Sequence, residues 1–174
     1  YFGSSTGNTE NAAELMKEKF DELNGTNLDL INVGDIEADQ LVEHEQIIIG
    51  VPTWETGELQ QDWDYLFSEL DELDFSGKKV AVFGQGDAMG YPDTFQDGIG
   101  ILAKKLRDRG ASIVGLTSTE GYDYDESFAE ESGQFLGLCL DEDNQPELSD
   151  ERITNWVSQI ADWNSLSQNR NVGI

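Results

Sequence analysis

Apolar residues recur along this chain in two alternating rhythms. From Glu10 to Leu23 they fall at Ala12, Ala13, Met16, Phe20 and Leu23, the three- and four-residue spacing of a helix face, and Asn24-Gly25 supplies a stop. Leu28 to Val33 then reads as a short β-type run, and Ile36 to Val42 as a brief helix or turn. Gln46 to Val51, built around Ile47-Ile48-Ile49, lacks polar alternation and predicts a strand buried on both faces, closed by Pro52. A helical period returns from Glu58 to Leu73, on Leu59, Trp63, Leu66, Phe67, Leu70 and Leu73, with an acidic opposite face that carries no base. Lys79 to Gly84 predicts another buried strand. A helix from about Asp93 to Arg109 follows on Phe95, Ile99, Leu102, Ala103 and Leu106, with Gly110 as its left-handed stop. Ser112 to Leu116 reads as the next strand. The last helix is expected to start at a Ser149 or Asp150 cap and to reach about Asn164 on Ile153, Trp156, Val157 and Ile160, ahead of a polar, frayed tail from 165 to 174.

Strands alternating with helices at this spacing imply parallel βαβ units in a doubly wound α/β sheet with helices on both faces. The turns after strands one, three and four then gather at one sheet edge, where open α/β folds bind ligands. One stretch breaks the rhythm. Ser118 to Gln134, rich in Gly, Tyr, Asp and Glu, separates Ser112–Leu116 from a second β-like piece, Phe135 to Leu140, as an insertion splitting the fifth strand would. With 174 residues and no internal repeat or linker, the chain is expected to form a single domain over 1–174.

Three of the predicted strand ends carry unusual loops. Ser4-Ser5-Thr6-Gly7-Asn8-Thr9 links Tyr1-Phe2-Gly3 to the first helix, so hydroxyls and free backbone N–H groups sit at the positive end of a helix, a recipe for holding phosphate. Asn8, not lysine, follows Gly7, which excludes a nucleotide-hydrolysing P-loop. Taken alone the turn reads more readily as an ordinary β-to-α loop capped by Ser or Thr. The second loop, Pro52-Thr53-Trp54-Glu55-Thr56-Gly57, presents a tryptophan where none is needed for a core. The third, Gly84 to Asp93, is glycine-rich with one tyrosine, Tyr91. Either aromatic alone is ordinary rim or core. Together with the phosphate turn they suit a planar, phosphorylated ring stacked on both faces, with glycines admitting backbone groups to its polar edge.

Charge narrows the classes further. The formal balance is −26, with sixteen acidic and no basic residues between Phe20 and Gly77, and twelve acidic and no basic ones between Gly110 and Glu151. Six of the ten basic residues are Lys78, Lys79, Lys104, Lys105, Arg107 and Arg109, so a strong molecular dipole is expected. Such a field repels nucleic acid and steers the molecule toward basic partners; adaptation to salt or solubility is the other reading of the same excess. No run is long and apolar enough for a membrane span. No basic, apolar leader precedes the first turn, and the lone Cys139, set among Leu136, Leu138 and Leu140, reads as a buried thiol, so a cytoplasmic location is expected. No metal site is expected: Asp123-Tyr124-Asp125 and Asp141-Glu142-Asp143 lack the spacing of a calcium loop and read as solvated surface, and His44 stands alone between Glu43 and Glu45.

The chain resembles the flavodoxins of the long-chain type over essentially its whole length. The residues that carry the likeness are Gly3-Ser4-Ser5-Thr6-Gly7-Asn8-Thr9, Gly50-Val51-Pro52-Thr53-Trp54 with Gly57-Glu58-Leu59-Gln60, Gly86-Asp87 with Gly90-Tyr91, Phe95-Gln96-Asp97, Gly121-Tyr122-Asp123, and Gly137-Leu138 with Leu140-Asp141-Glu142-Asp143-Asn144-Gln145. The resemblance implies a five-stranded parallel sheet of order 2-1-3-4-5, with the first strand truncated here because only two residues precede Gly3. It also implies a low-potential, one-electron carrier holding FMN non-covalently, and no enzyme. Ser4, Ser5, Thr6, Gly7, Asn8 and Thr9 would then hold the phosphate. Trp54 and Tyr91 would sandwich the isoalloxazine, Tyr91 more nearly parallel to it, and Pro52, Thr53, Glu55, Thr56, Gly57, Gln85, Gly86, Asp87, Thr94, Phe95 and Gln96 would complete the flavin site. Asp143 would reach the ribityl chain, and the Glu55-Thr56 peptide would turn its carbonyl toward N5 on reduction. Implied partners are basic-surfaced redox proteins, a ferredoxin-NADP reductase type donor and a photosystem or other ferredoxin-type acceptor, met by a monomer. An FMN-dependent quinone or nitro reductase of the same fold is the alternative. A phosphorelay receiver is excluded, since Ser and Thr stand where an acidic pair is needed and Val51-Pro52 where a phosphoacceptor Asp is needed.

Overall fold

The computed structural model describes residues 1–24 and 28–162. Its first helix, α1 (Asn8–Asn24), buries Ala12, Ala13, Met16 and Phe20, the stripe its spacing predicts. The apolar run at Ile47 becomes β1 (Gln46–Trp54), which turns back as the two-residue antiparallel β2 (Glu58–Leu59), with Thr53 opposite Leu59. Helix α2 (Gln61–Phe67) follows, then β3 (Lys79–Gln85), which lies parallel to β1 from Gln46 opposite Lys79 to Pro52 opposite Gln85.

Pro52 therefore does not close the strand, contrary to the sequence reading. Gly50 receives Gly3 N–H on its carbonyl at 3.0 Å and donates its own N–H to Tyr1 O at 2.9 Å, so both its polar groups face the first strand. By the two-residue period, the nitrogen of Pro52 faces the same side, past the end of that strand, and no ladder bond is lost.

Helix α3 (Asp97–Asp108) precedes β4 (Ser112–Val114), and Gly110 stops it at φ 100° as expected. β5 (Thr117–Ser118), β6 (Glu130–Glu131) and β7 (Gln134–Phe135) form a small separate antiparallel sheet in the order β5-β7-β6. β8 (Leu138–Leu140) returns to the main sheet, and α4 (Ser149–Ile160) closes the described chain. β4 pairs with Lys79 to Ala81 of β3, and β8 pairs with Phe83 to Gln85 of the same strand. The fifth strand is thus split, and the insertion stands between its halves. The β-like run expected from Phe135 to Leu140 is itself broken at Gly137, where any Cβ would strike the carbonyl of Val82.

The first two strands are reduced to bridges. Phe2 lies parallel to Asn32 on one side and Gly50 on the other. Around that bridge Phe2 N–H donates to Ile31 O at 3.0 Å and Phe2 O accepts Val33 N–H at 2.9 Å. The sheet order 2-1-3-4-5 holds nonetheless. α1 and α4 cover one face, where Met16, Phe20, Ile153, Trp156 and Val157 pack with Phe83. α2 and α3 cover the other, with Trp63, Leu66, Leu70, Ile99, Leu102 and Leu106 around Ile49 and Val82.

Three helices begin or end elsewhere than expected. The Glu58–Leu73 period becomes β2, α2 and a 3-10 turn at Glu69–Glu72, because β2 pairs back on β1. α3 starts at Asp97, after a 3-10 turn at Pro92–Thr94 and a left-handed Gln96 (φ 61°), whose amide is committed to Leu140 O at 2.7 Å. α4 has no side-chain cap: Ser149 lies inside it, entered through a 3-10 turn at Pro146–Leu148. It ends at Ile160; Asn164 and the tail expected to fray lie outside the described residues. Cys139 is fully buried, and burial pushes its thiol well above the ordinary value.

Candidate functional site

The loops that follow Gly3, β1 and β3 meet at one sheet edge, as the alternation of elements requires. They enclose an open cleft lined by Thr6, Asn8, Thr9, Pro52, Thr53, Trp54, Glu55, Gln85, Gly86, Asp87, Tyr91, Thr94, Phe95, Gln96 and Asp143. No lysine or arginine is among them, while Glu55, Asp87 and Asp143 are. Ser4, Ser5, Gly7, Thr56 and Gly57 stand outside this lining, in the flanking turns.

The first turn is shaped by its own side chains. Gly7, at φ 92°, donates its N–H to Ser4 Oγ at 3.1 Å, and its carbonyl accepts from Asn11 N–H at 2.9 Å as α1 begins. Ser5 and Thr6 are exposed, whereas Thr9 is buried. Beneath the turn, the Gln60 amide donates to Ser5 Oγ at 3.3 Å and to Asp62 at 2.7 Å, a support that sequence reasoning did not assign to the site. Space is tight there: a Cβ on Gly3 would collide with Gln60 and Trp63.

The second turn is the β1–β2 hairpin. Gly57 N–H closes it on Trp54 O at 3.1 Å, with Gly57 at φ 93° and Glu55, a non-glycine, at φ 44°. A left-handed Glu costs about 1–2 kcal/mol, so the hairpin holds a conformation that its sequence alone disfavours. Trp54 is 38% exposed at its tip. Tyr91, across the cleft, is 45% exposed. Tyr65 and Phe128 are more open still, but only Trp54 and Tyr91 of these exposed rings line the cleft.

The third turn is pinned from behind. Asp87 accepts from Gly90 N–H at 2.7 Å and from Asn144 Nδ2 at 2.8 Å. That Asn144 hydrogen bond, ahead of the Gly90 and Met89 N–H groups and against burial, holds the Asp87 carboxyl below its ordinary value. Asp141 is buried, accepting Ala88 N–H at 3.1 Å, Asn144 N–H at 3.0 Å and Asn144 Nδ2 at 2.9 Å. This corrects the reading of the Asp141-Glu142-Asp143 run as solvated surface. The composition of the run hid that its first member faces inward, tying the last loop to the third. Asp143 is exposed at the cleft, and burial first, then Asp87 and Asp141, raise its carboxyl. Among the described residues no group of three or more His, Cys, Asp or Glu is placed to hold a metal ion. His44 is exposed, as expected.

Phe95 and Gln96 form the back wall and not a stacking surface. Phe95 is buried against Tyr122, Tyr124 and Phe135, with ring centroids at 5.6, 5.4 and 6.1 Å. Gln85 Oε1 and Gln96 Oε1, both on cleft residues, are buried without a hydrogen-bond partner. Buried amide oxygens of this kind call for a donor. The cleft therefore offers a hydroxyl-rich helix start at one end, two open aromatic rings at the other, and unsatisfied acceptors between.

The flavodoxin family model matches residues 1–156. The chain belongs to the flavodoxin family. A flavodoxin of Nostoc sp. is 49% identical over 160 residues, covering 92% of each chain. One from Klebsiella pneumoniae is 41% identical over 175 residues, covering 98% of this chain and 96% of its own. The solved structure of Fusobacterium nucleatum flavodoxin bound to flavin mononucleotide superposes with a TM-score of 0.85 at 31% identity, covering 91% of this chain and 93% of that one. Within the family this chain is of the long-chain type, its insertion splitting the fifth strand at the position the sequence gives. Flavodoxins are electron-transfer proteins rather than enzymes, and no described helix is long and apolar enough to cross a membrane.

Proposed function

We propose that this flavodoxin-family chain carries electrons singly, at low potential, between redox partner proteins, on FMN held non-covalently in the cleft described above. The observation that carries the reading is the pairing of two exposed rings, Trp54 and Tyr91, with a cation-free Ser/Thr turn at the start of α1. When bound, FMN supplies the one-electron chemistry.

The protein's own part is positional and electrostatic. Ser4, Ser5, Thr6, Gly7, Asn8 and Thr9 present hydroxyls and first-turn N–H groups to the phosphate, at the positive end of a 17-residue helix. Trp54 and Tyr91 exclude water from the ring faces, and Gln85 Oε1 accepts from a cofactor hydroxyl. Thr53, Glu55, Thr56, Gly57, Gly86 and Asp87 address the ring's edge through backbone groups, while Asp143 lies toward the sugar alcohol. Pro52, Thr94, Phe95 and Gln96 hold the walls in place. Because Glu55, Asp87 and Asp143 face the cleft and no base does among the described residues, added negative charge on the cofactor is disfavoured there. That makes the reduced protein a strong donor.

The acidic field, −26 overall, suits basic-surfaced partners such as a ferredoxin-NADP reductase type donor and a photosystem or other ferredoxin-type acceptor. We read residues 1–174 as one unit that works as a monomer in the cytoplasm. The test is uptake of FMN by the apo-protein, followed by the visible spectrum and by potentiometry. Stoichiometric uptake with two separated one-electron steps is the expected result. A protein that leaves added FMN in solution ends the reading.

A further inference from the structure

Asp97, the first residue of α3, stands between two loops that never touch in sequence. Its Oδ1 accepts the N–H of Phe128, in the insertion, at 2.7 Å. Its Oδ2 lies against Gly57, in the cleft hairpin, where an added Cβ would come within 2.6 Å of it. The neighbouring N–H of Gly98 donates to Thr53 Oγ1 at 2.9 Å, so the same helical turn also holds the end of β1. The carbonyl of the same residue is fixed as well. Lys104 Nζ donates to Phe128 O at 2.8 Å and stands 3.5 Å over its ring, while Gly100 leaves no room for a side chain beneath that carbonyl.

We propose that Asp97 is a positioning residue that ties the insertion to the Trp54–Gly57 hairpin, so that seating Phe128 on α3 sets the conformation of the loop facing the cofactor. The hairpin needs such a brace, because Glu55 at φ 44° and Gly57 at φ 93° hold a shape that a free loop would leave. A half-buried carboxylate can brace it only while its other oxygen is held. Burial raises the Asp97 carboxyl, chiefly opposed by the Phe128 N–H and then by Lys104, while Glu126 adds to the rise. Losing Phe128 thus removes what keeps the charge in place beside Gly57. The expected effect on cofactor binding rests on the FMN reading; the coupling between the two loops does not.

The experiment compares amide hydrogen exchange in the apo-protein for the parent chain, Asp97→Ala and Lys104→Met. Lys104→Met removes the donor to Phe128 O, keeps an apolar stem over the ring, and touches no hairpin residue. Loss of one charge-assisted hydrogen bond predicts exchange about tenfold faster at Phe128 and, through Asp97, at Gly57 as well, in both variants. Unchanged exchange at Gly57 in Lys104→Met overturns the proposal even if Asp97→Ala does not fold. With FMN bound, Asp97→Asn removes the negative charge and should raise the midpoint potentials, which a purely structural anchor would leave alone. If the parent takes up no FMN, the cofactor reading falls while the exchange comparison still decides the coupling.

Discussion

Asn144 reaches across the floor of the cleft to Asp87, donating from Nδ2 to Oδ1 at 2.8 Å while the same amide nitrogen lies 2.9 Å from both oxygens of Asp141. One side chain thereby binds the loop after β3 to the loop after β8. Asn144→Ala should leave Asp87 and the buried Asp141 each short of a donor, at a cost of about 1–3 kcal/mol for each unsatisfied group. Urea unfolding of the apo-protein should show a lower midpoint with an unchanged slope. FMN affinity should fall with it, because Gly86 and Tyr91 lose their support.

The same pair sets a pH dependence. The folded carboxyl of Asp87 lies below its ordinary 3.8, held there first by Asn144. A carboxyl lowered by folding stabilises the protein above its unfolded value, and that contribution is lost as pH falls through the folded value. The stability gap between the parent and Asn144→Ala should therefore be flat near neutral pH and shrink below about pH 4. Denaturation midpoints at pH 7, 5 and 3 measure it; a gap that widened in acid would refute the assignment.

Trp54 and Tyr91 are predicted to act separately on the cofactor. Each buries ring area on binding, worth about 2 kcal/mol, so Trp54→Ala and Tyr91→Ala should each weaken FMN by about thirtyfold. Both rings are partly open in the free protein, at 38% and 45%, so each substitution should cost the apo-protein less than truncating a fully buried ring such as Trp63. Fluorescence titration with FMN and thermal unfolding of the apo-proteins give the two numbers.

Salt should stabilise this protein. Its 36 acidic residues face 10 basic ones, and the ion pairs Lys19–Asp150, Lys105–Asp71 and Arg107–Glu131 each involve an exposed carboxylate. Self-repulsion of this size is screened as the Debye length falls from about 10 Å at 0.1 M to about 3 Å at 1 M. Thermal midpoints should rise across that range. Midpoints that fell would mean that the ion pairs outweigh the repulsion.

A packing prediction tests the split strand. Gly137 joins β7 to β8 with its Cα facing the Val82 carbonyl, and Gly137→Ala has no rotamer with which to escape. A loss of about 1–3 kcal/mol is expected, with the insertion loosened before the main sheet. Native-state hydrogen exchange at Cys139 and Phe135 would report it, and protection equal to the parent's would show that the backbone adjusts without strain.

What the sequence determined was the part governed by local rules and by period. Continuous apolar runs marked β1 and β3, helical spacing marked the stripes on α1, α3 and α4, and three loops at successive strand ends could only meet at one edge. Trp54 and Tyr91 were legible because large rings in glycine-rich or polar loops have no core to enter. Tertiary structure decided what depends on partners distant in sequence. Pro52 stays in its strand because the neighbouring strand ends at Gly3, and the Glu58–Leu73 helix is cut short because Glu58 and Leu59 find β1 first. Asp141, in a run of acids, is buried because Ala88 and Asn144 supply donors. No local signal carries that, since burying a charge is decided by the groups that come to meet it.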